Sequence, residues 1–372
     1  MLLFLWLVSA TFVLVREGRV VITELVRPTV LFWLVTLCAL SLGWCAGIYL
    51  ELWDPASIRD AIAIVLAAAV ASLSVVQPKS IERIWTASGA LAITLVLGLG
   101  GLLLLAGLGR PIVGPISSMY GFRFAGWALN PNQTALAISI VPFIAWEHRR
   151  GASGPLGRLG WAMVAVAGIG IGIATLSDAL TLGWVAAAAL SVSLWWWRTT
   201  FSLARTTLRK VVAVFGVPLL AAAALIVFGP RLMEIVDEKA TSSYDAGGQG
   251  SDRVARWQHG IDAAARSPIL GLGPGSYSGP FAAFQGEEAH NTPIDWMDAS
   301  GVIGVVALLA LWLWVAHRVR LSGRKGAGIA LTALLTFSMF HFVLRQPVFW
   351  FFLLTLAAPM PLAIVRRHVG VR

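Results

Sequence analysis

The sequence predicts an all-α protein, a polytopic bundle of transmembrane helices with about 11 spans. Three observations lead there. Of 372 residues, 58% are hydrophobic and only 12% charged, with a mean hydropathy of +0.80. Apolar runs of roughly 18 residues or more recur, each long enough to cross a hydrocarbon core of about 30 Å as a helix. The charged residues fall in short connectors between those runs. A backbone in lipid must satisfy its own hydrogen bonds, and helices do so within one segment.

Taken in order, the expected spans cover residues 1–15, 29–50, 61–76, 84–108, 133–146, 159–176, 179–197, 211–228, 294–316, 328–343 and 348–365. The first lacks a basic start and a small-residue cleavage site, so it reads as a short span rather than a removed signal. The second holds Cys38 and Cys45. At helical rise they sit about 10.5 Å apart along the axis, too far for a disulfide, and they read as packing residues. A Gly/Pro-containing loop, 109–132, ends in Asn130-Pro131-Asn132, a turn that opens the fifth span. A tight turn at Ser177-Asp178 separates the sixth and seventh. Pro218 interrupts the eighth, which a helix bundle tolerates. The last three are separated by a basic connector and by Arg345-Gln346-Pro347.

With the C-terminus cytoplasmic, one side carries 19 Lys/Arg and 4 Asp/Glu, the other 9 and 14. That asymmetry is the positive-inside pattern, so the net charge of +10 orients the chain and implies no nucleic-acid partner. The long polar interval 229–293 then faces the periplasm of a bacterial inner (cytoplasmic) membrane. The 17 tryptophans gather at span ends as an interfacial belt. No internal repeat is visible, so residues 1–372 read as one multi-pass membrane domain with 229–293 as its large periplasmic loop, containing short helices.

The chemistry concentrates in 250–304. Ser251 can cap a helix that Pro268 stops. On it, Arg253 and Trp257 share a face and Arg256 joins at the edge. The two arginines fit either a solvated helix face or a grip on phosphate, which a planar guanidinium makes bidentately. Gly271, Gly273 and Gly275 lack a surrounding βαβ unit and read as a tight turn. His290, before Asn291 and just ahead of a span, fits either a structural histidine or a general base towards a hydroxyl. Asp295 and Asp298 are three apart, but no ligand set with convincing metal spacing accompanies them. Arg123 reads as a loop-end anchor, whereas Asp178 and Arg345 lie at turns on span edges, where ionisable groups are functional candidates or pairing residues.

Three ordered patterns resemble the O-antigen ligase and O-antigen/exopolysaccharide polymerase superfamily. They are Arg123, Gly126, Asn130, Pro131, Asn132; then Ser251, Arg253, Trp257, Pro268, Gly271, Gly273; then His290, Asn291, Gly301, Gly304. The resemblance covers about 120–313. It implies a membrane glycosyltransferase of the GT-C type, acting on an undecaprenyl-diphosphate-linked glycan at the periplasmic face and transferring it to an acceptor hydroxyl, glycan or lipid A core. It further implies inversion at the anomeric carbon and no metal or other cofactor. Arg123 and Arg253, with Arg256 beside them, would hold the diphosphate, and His290 would serve the acceptor. Asn291, Asn130, Asn132, Trp257, Asp298 and Arg345 would support the site. Where many relatives have Glu nine residues after the histidine, this chain has Ala299; where many have Ser-Arg, it has Ser177-Asp178; and a twelfth span is common among them. The competing readings are a lipid-linked glycan transporter and a non-catalytic component of an assembly complex.

Overall fold

The computed structural model describes residues 24–52, 56–77, 79–109, 119–200, 249–275 and 288–360. The expected spans 1–15 and 211–228 lie outside them, as do 229–248, 276–287 and the C-terminal tail 361–372. The described chain is almost wholly helical. In order it forms α1 (Val26–Tyr49), α2 (Ala56–Val76), α3 (Ser80–Gly107), a short hairpin β1 (Met119–Tyr120) and β2 (Arg123–Phe124), α4 (Pro131–Ile138), α5 (Val141–Gly151), α6 (Gly154–Ala174), α7 (Asp178–Thr200), α8 (Gln249–Ala264), α9 (Thr292–Ser322), α10 (Lys325–Ser338) and α11 (Pro347–Ala357). Among the described residues, α1, α2, α3, α6, α7 and α9 are long and apolar enough to cross a membrane. Cys38 and Cys45 are free and exposed on α1, so they are not buried among the described residues as packing residues would be.

The bundle closes around α11. A helix that is apolar on every side belongs in a core, and Phe349, Trp350, Phe352 and Leu354 are all buried. It packs against α2, α3, α9, α10 and α4. Around it, α1 lies along α9, α7 along α10, and α5 along α6.

Three expected spans differ from the sequence reading; the last of them, 348–365, ends as a helix at Ala357. Residues 133–146 are not one helix. Pro142 lacks the N–H that would continue the ladder, so the chain breaks between α4 and α5, and the Trp184 indole donates to the freed Ser139 carbonyl at 2.8 Å. The tenth span stops at Ser338 although the apolar run continues to Val343. The remainder docks as an irregular strap on the start of α9. Asn291 Nδ2 donates to the Met339 carbonyl (3.0 Å), Thr292 Oγ1 to that of His341 (2.5 Å), and the Val343 N–H to Thr292 Oγ1 (3.1 Å).

The helix α9 is itself broken. Gly301 has φ 61° and ψ −168°, a conformation open essentially to glycine alone. The loop after α8 fills the break: Leu272 N–H donates to Asp298 O (2.8 Å), Gly273 N–H to Ala299 O (2.9 Å), and Val302 N–H to Pro268 O (2.9 Å). The approach is backbone on backbone. A Cβ on Gly271 would sit 2.6 Å from the Ala299–Gly301 backbone, one on Gly273 2.6 Å from Trp44 Cα, and one on Gly43 2.7 Å from Leu270 O. The predicted glycine turn is therefore a wedge between α1 and α9.

Opposite the start of α9, the other end of the bundle is cross-linked by a buried ion pair. Arg324 and Glu147, 5% and 2% exposed, lie 3.4 Å apart. Arg324 Nη1 also donates to the Thr355 and Ala358 carbonyls (3.1 and 2.8 Å), which the end of α11 leaves open. His148, between two expected spans, is stacked between Trp85 and Trp161 at 4.3 and 4.6 Å. Burial, then the Arg324 charge, hold its pKa down at about 4, against a smaller opposing hydrogen bond to the Trp85 backbone.

Two outcomes follow for stability. Gly301→Ala combines forbidden backbone with a clash against the Ile269–Gly271 backbone and should cost about 3 kcal/mol, read as a lower Tm in detergent. Gly170→Ala, with open space at its Cβ, should leave Tm unchanged. Folded His148 binds fewer protons than it does in the unfolded chain, so its contribution is complete above pH 6.5 and is lost as pH falls towards about 4. His148→Phe should keep the stack and flatten that slope, by up to about 3 kcal/mol, in Tm measured across the same window.

Candidate functional site

At the end of the bundle away from Arg324, a cleft opens between the start of α4, the stretch before α9 and the strap between α10 and α11. Asn130 and Asn132 line one wall; Glu288, His290, His341 and Arg345 line the other.

His290 is held by its backbone. Its φ of 56° is left-handed, a conformation that costs a non-glycine residue roughly 1–2 kcal/mol. That bend turns the N–H groups on either side towards one carboxylate: Ala289 N–H donates to Asp295 Oδ1 (2.8 Å) and Asn291 N–H to Asp295 Oδ2 (3.0 Å). Asn291 caps α9, its Oδ1 accepting from Ile294 N–H at 3.2 Å. Cap, strap and carboxylate thus fix the imidazole at the rim, with its side chain 32% exposed. Glu288 Oε2 lies 3.6 Å from its Nδ1. The His341 ring is 5.2 Å away and is itself stacked on Phe337.

On the facing wall, Arg123 opens β2, paired with Tyr120 across the hairpin. Its Nε donates to the Thr175 carbonyl and its Nη2 to Asn132 Oδ1, both at 3.1 Å. Two of its three nitrogens are engaged, which fixes the guanidinium plane behind Asn132. Asn130 caps α4, accepting from Asn132 N–H at 2.8 Å. The motif containing Asn130 and Asn132 is therefore a helix start that holds an arginine.

Arg345 is bound inward. Nη1 donates to both oxygens of buried Asp60 at 3.1 Å, and Nη2 pairs with Glu288. Burial pulls its pKa down, against the opposing charge of Asp60. Of the other expected residues, Asp298 is fully buried on α9 and does not line the cleft; its carbonyl receives the glycine wedge. Arg253 lies on α8, with its side chain outside the described residues. Arg256 is on the same helix, and the Trp257 ring reaches Phe340 of the strap at 6.4 Å. The structure thus brings His290, Asn130, Asn132, Arg345 and, through Asn132, Arg123 to one cleft, while Asn291 caps α9 beside it.

The sequence reading missed Asp295 as the anchor of His290, and it missed His341, Glu288 and Asp60. An acid opening an apolar span was a signal for Asp60; nothing in the pattern marked His341, which sits inside an apolar run. Asp295→Ala would leave two N–H groups without their acceptor, each costing roughly 1–3 kcal/mol. The variant should keep its helices by circular dichroism yet lose at least tenfold in whatever turnover His290 supports, whereas Asp298→Asn, away from the cleft, should stay within twofold.

A family model described as O-antigen ligase matches residues 163–309. No curated protein matches the chain. The matched stretch begins within α6 and runs through α7, the α8 helix, the glycine wedge and His290 to the far side of the break in α9. Over residues 163–309 the chain is thus similar to the O-antigen ligase family, on a scaffold of apolar helices of which six of those described are long and apolar enough to cross a membrane.

Proposed function

We propose that the protein is a glycosyltransferase that moves a glycan from a polyprenyl-diphosphate carrier, undecaprenyl diphosphate in bacteria, to an acceptor hydroxyl, by ligation or polymerisation. The observation that carries this is the cleft itself, in which His290 faces Asn132 and, behind it, Arg123. The similarity to the O-antigen ligase family over 163–309 supports the same reading. The site would lie at the periplasmic face of the inner membrane. Arg318, Arg320, Arg324 and Lys325 at the opposite end of α9 fit the cytoplasmic side.

In this reading the acceptor hydroxyl gives its proton to His290 as its oxygen bonds the anomeric carbon. The carbon–oxygen bond to the carrier breaks, and its electron pair stays on the departing diphosphate. Arginine is suited to that developing charge because its guanidinium is always ionised and holds two phosphate oxygens at once. Arg123 is pre-oriented for it, and Arg253 and Arg256 on α8 would complete the grip. Attack from the face opposite the leaving group inverts the anomeric centre, and none of these steps calls on a metal or other cofactor. The polyprenyl chain would lie along the apolar outer faces of the bundle. The acceptor is a second lipid-linked glycan or lipid A core.

Purified wild-type protein in proteoliposomes with a polyprenyl-diphosphate glycan should form transferred product. His290→Ala and Arg253→Ala should each lower the rate by about 10²-fold or more while inserting normally. Near wild-type product from both variants would contradict the mechanism, and loss of binding without any product in the wild type would favour a carrier protein.

A further inference from the structure

Four side chains from three separate parts of the chain form a line that ends at the cleft. Asp60, buried in the first turn or so of α2, accepts from Arg345 Nη1 through both oxygens at 3.1 Å. Arg345, in the strap before α11, pairs with Glu288 through Nη2. Glu288 presents its second oxygen 3.6 Å from Nδ1 of His290. Only Glu288 and His290 are near neighbours in sequence, so the fold assembles the line. Glu288 and His290 lie in the stretch that matches the O-antigen ligase family; Asp60 and Arg345 lie outside it.

We propose that Asp60 and Arg345 are positioning residues that hold Glu288 against His290, so that the ring keeps its Nε2 lone pair towards the cleft and its charge is matched once it has taken the acceptor's proton. The inference rests on the reading of His290 as the acceptor's base. A carboxylate on a free side chain would rotate among several orientations. Paired to a guanidinium that is itself fixed by a buried carboxylate, it has one. The charges also balance: Asp60, Arg345 and Glu288 together carry one net negative charge while His290 is neutral. When the acceptor O–H bond breaks and the N–H forms on Nε2, the group as a whole becomes neutral. No proton passes along the line; it stays on Nε2 until water takes it after product leaves. Arg345, with a carboxylate on each side, is committed to this task and does not serve as a diphosphate ligand. Stability alone explains such a pair poorly, because the cost of desolvating buried charges offsets much of their attraction.

The groups that face the ring are Glu288 and, from the strap, His341 and Arg345. Asp295 lies behind its backbone, and Asp60 and Arg59, 3.4 Å apart, lie beyond Arg345. The test compares Asp60→Asn, Arg345→Gln, Arg345→Lys and Glu288→Gln in proteoliposomes supplied with a polyprenyl-diphosphate glycan and a hydroxyl acceptor. Asp60→Asn, Arg345→Gln and Glu288→Gln should lower kcat roughly tenfold to a hundredfold, a share of what a positioned base provides, with donor KM unchanged. Arg345→Lys, which keeps the charge without the fork, should recover only part. The rate needs neutral His290, so the acidic limb of the pH profile reports its titration; removing a nearby negative charge in Asp60→Asn or Glu288→Gln should move that limb to lower pH. Wild-type kcat in these variants overturns the proposal, as does a fall in kcat with an unmoved acidic limb, the mark of a purely structural role. A His290→Ala protein as active as wild type would instead bring down the underlying reading, and it is distinguishable because it requires no change at Asp60 or Arg345.

Discussion

The broken ladder of α9 is completed by backbone from elsewhere in the chain, and the rest of the site depends on that repair. At Gly301 the helix cannot bond to itself. Leu272 and Gly273 supply the missing donors and Pro268 the missing acceptor. Only glycine permits the approach, at Gly43 of α1, at Gly271 and Gly273 of the wedge, and at Gly301 itself. One junction therefore fixes three elements at once: α1, the loop that leaves the arginine-bearing α8, and the first turns of α9. Those first turns carry the carboxylate and cap that set His290.

The two ends of the bundle handle buried charge differently. At one end Arg324 spends its donors on Glu147 and on the open carbonyls of α11, so the charge is closed off inside the protein. At the other, Asp60, Arg345 and Glu288 lead out to a histidine on the rim of a cleft. Both cross-link helices distant in sequence. Only the second delivers a titratable group to open space, in a backbone conformation that Asp295 must hold. Strain at a cleft-lining residue, supported by a dedicated buried anchor, is the pattern expected where geometry serves chemistry.

Much of this was legible in the sequence, for physical reasons. Apolar runs of membrane length gave helices α1, α2, α3, α6, α7 and α9, because lipid and length leave little choice. His290, Asn291, Asn130 and Asn132 were recognisable because capping and turn chemistry is local. Arg123 reads as a loop-end anchor that the family resemblance singles out, and its partner Asn132 lies within the same motif. The misses were all long-range. Pro142 splitting a span, and residues 339–344 leaving the helix to strap α9, are decided by partners such as Trp184 and Thr292 that sequence distance hides. His341 looked like a residue of an apolar span, and Asp60 like the solvated start of one. Asp295 was weighed only as a metal ligand beside Asp298; its actual role depends on the left-handed turn at His290, which no residue type announces.

In the proposed reaction the cleft couples departure of a lipid diphosphate to proton uptake from an acceptor hydroxyl. The most direct measurement is stoichiometric. Purified protein in proteoliposomes, given a polyprenyl-diphosphate glycan labelled in both lipid and sugar, should release one carrier diphosphate for each glycan joined to acceptor, and none when acceptor is withheld. Release of carrier without acceptor, or donor binding with neither release nor transfer, would contradict it.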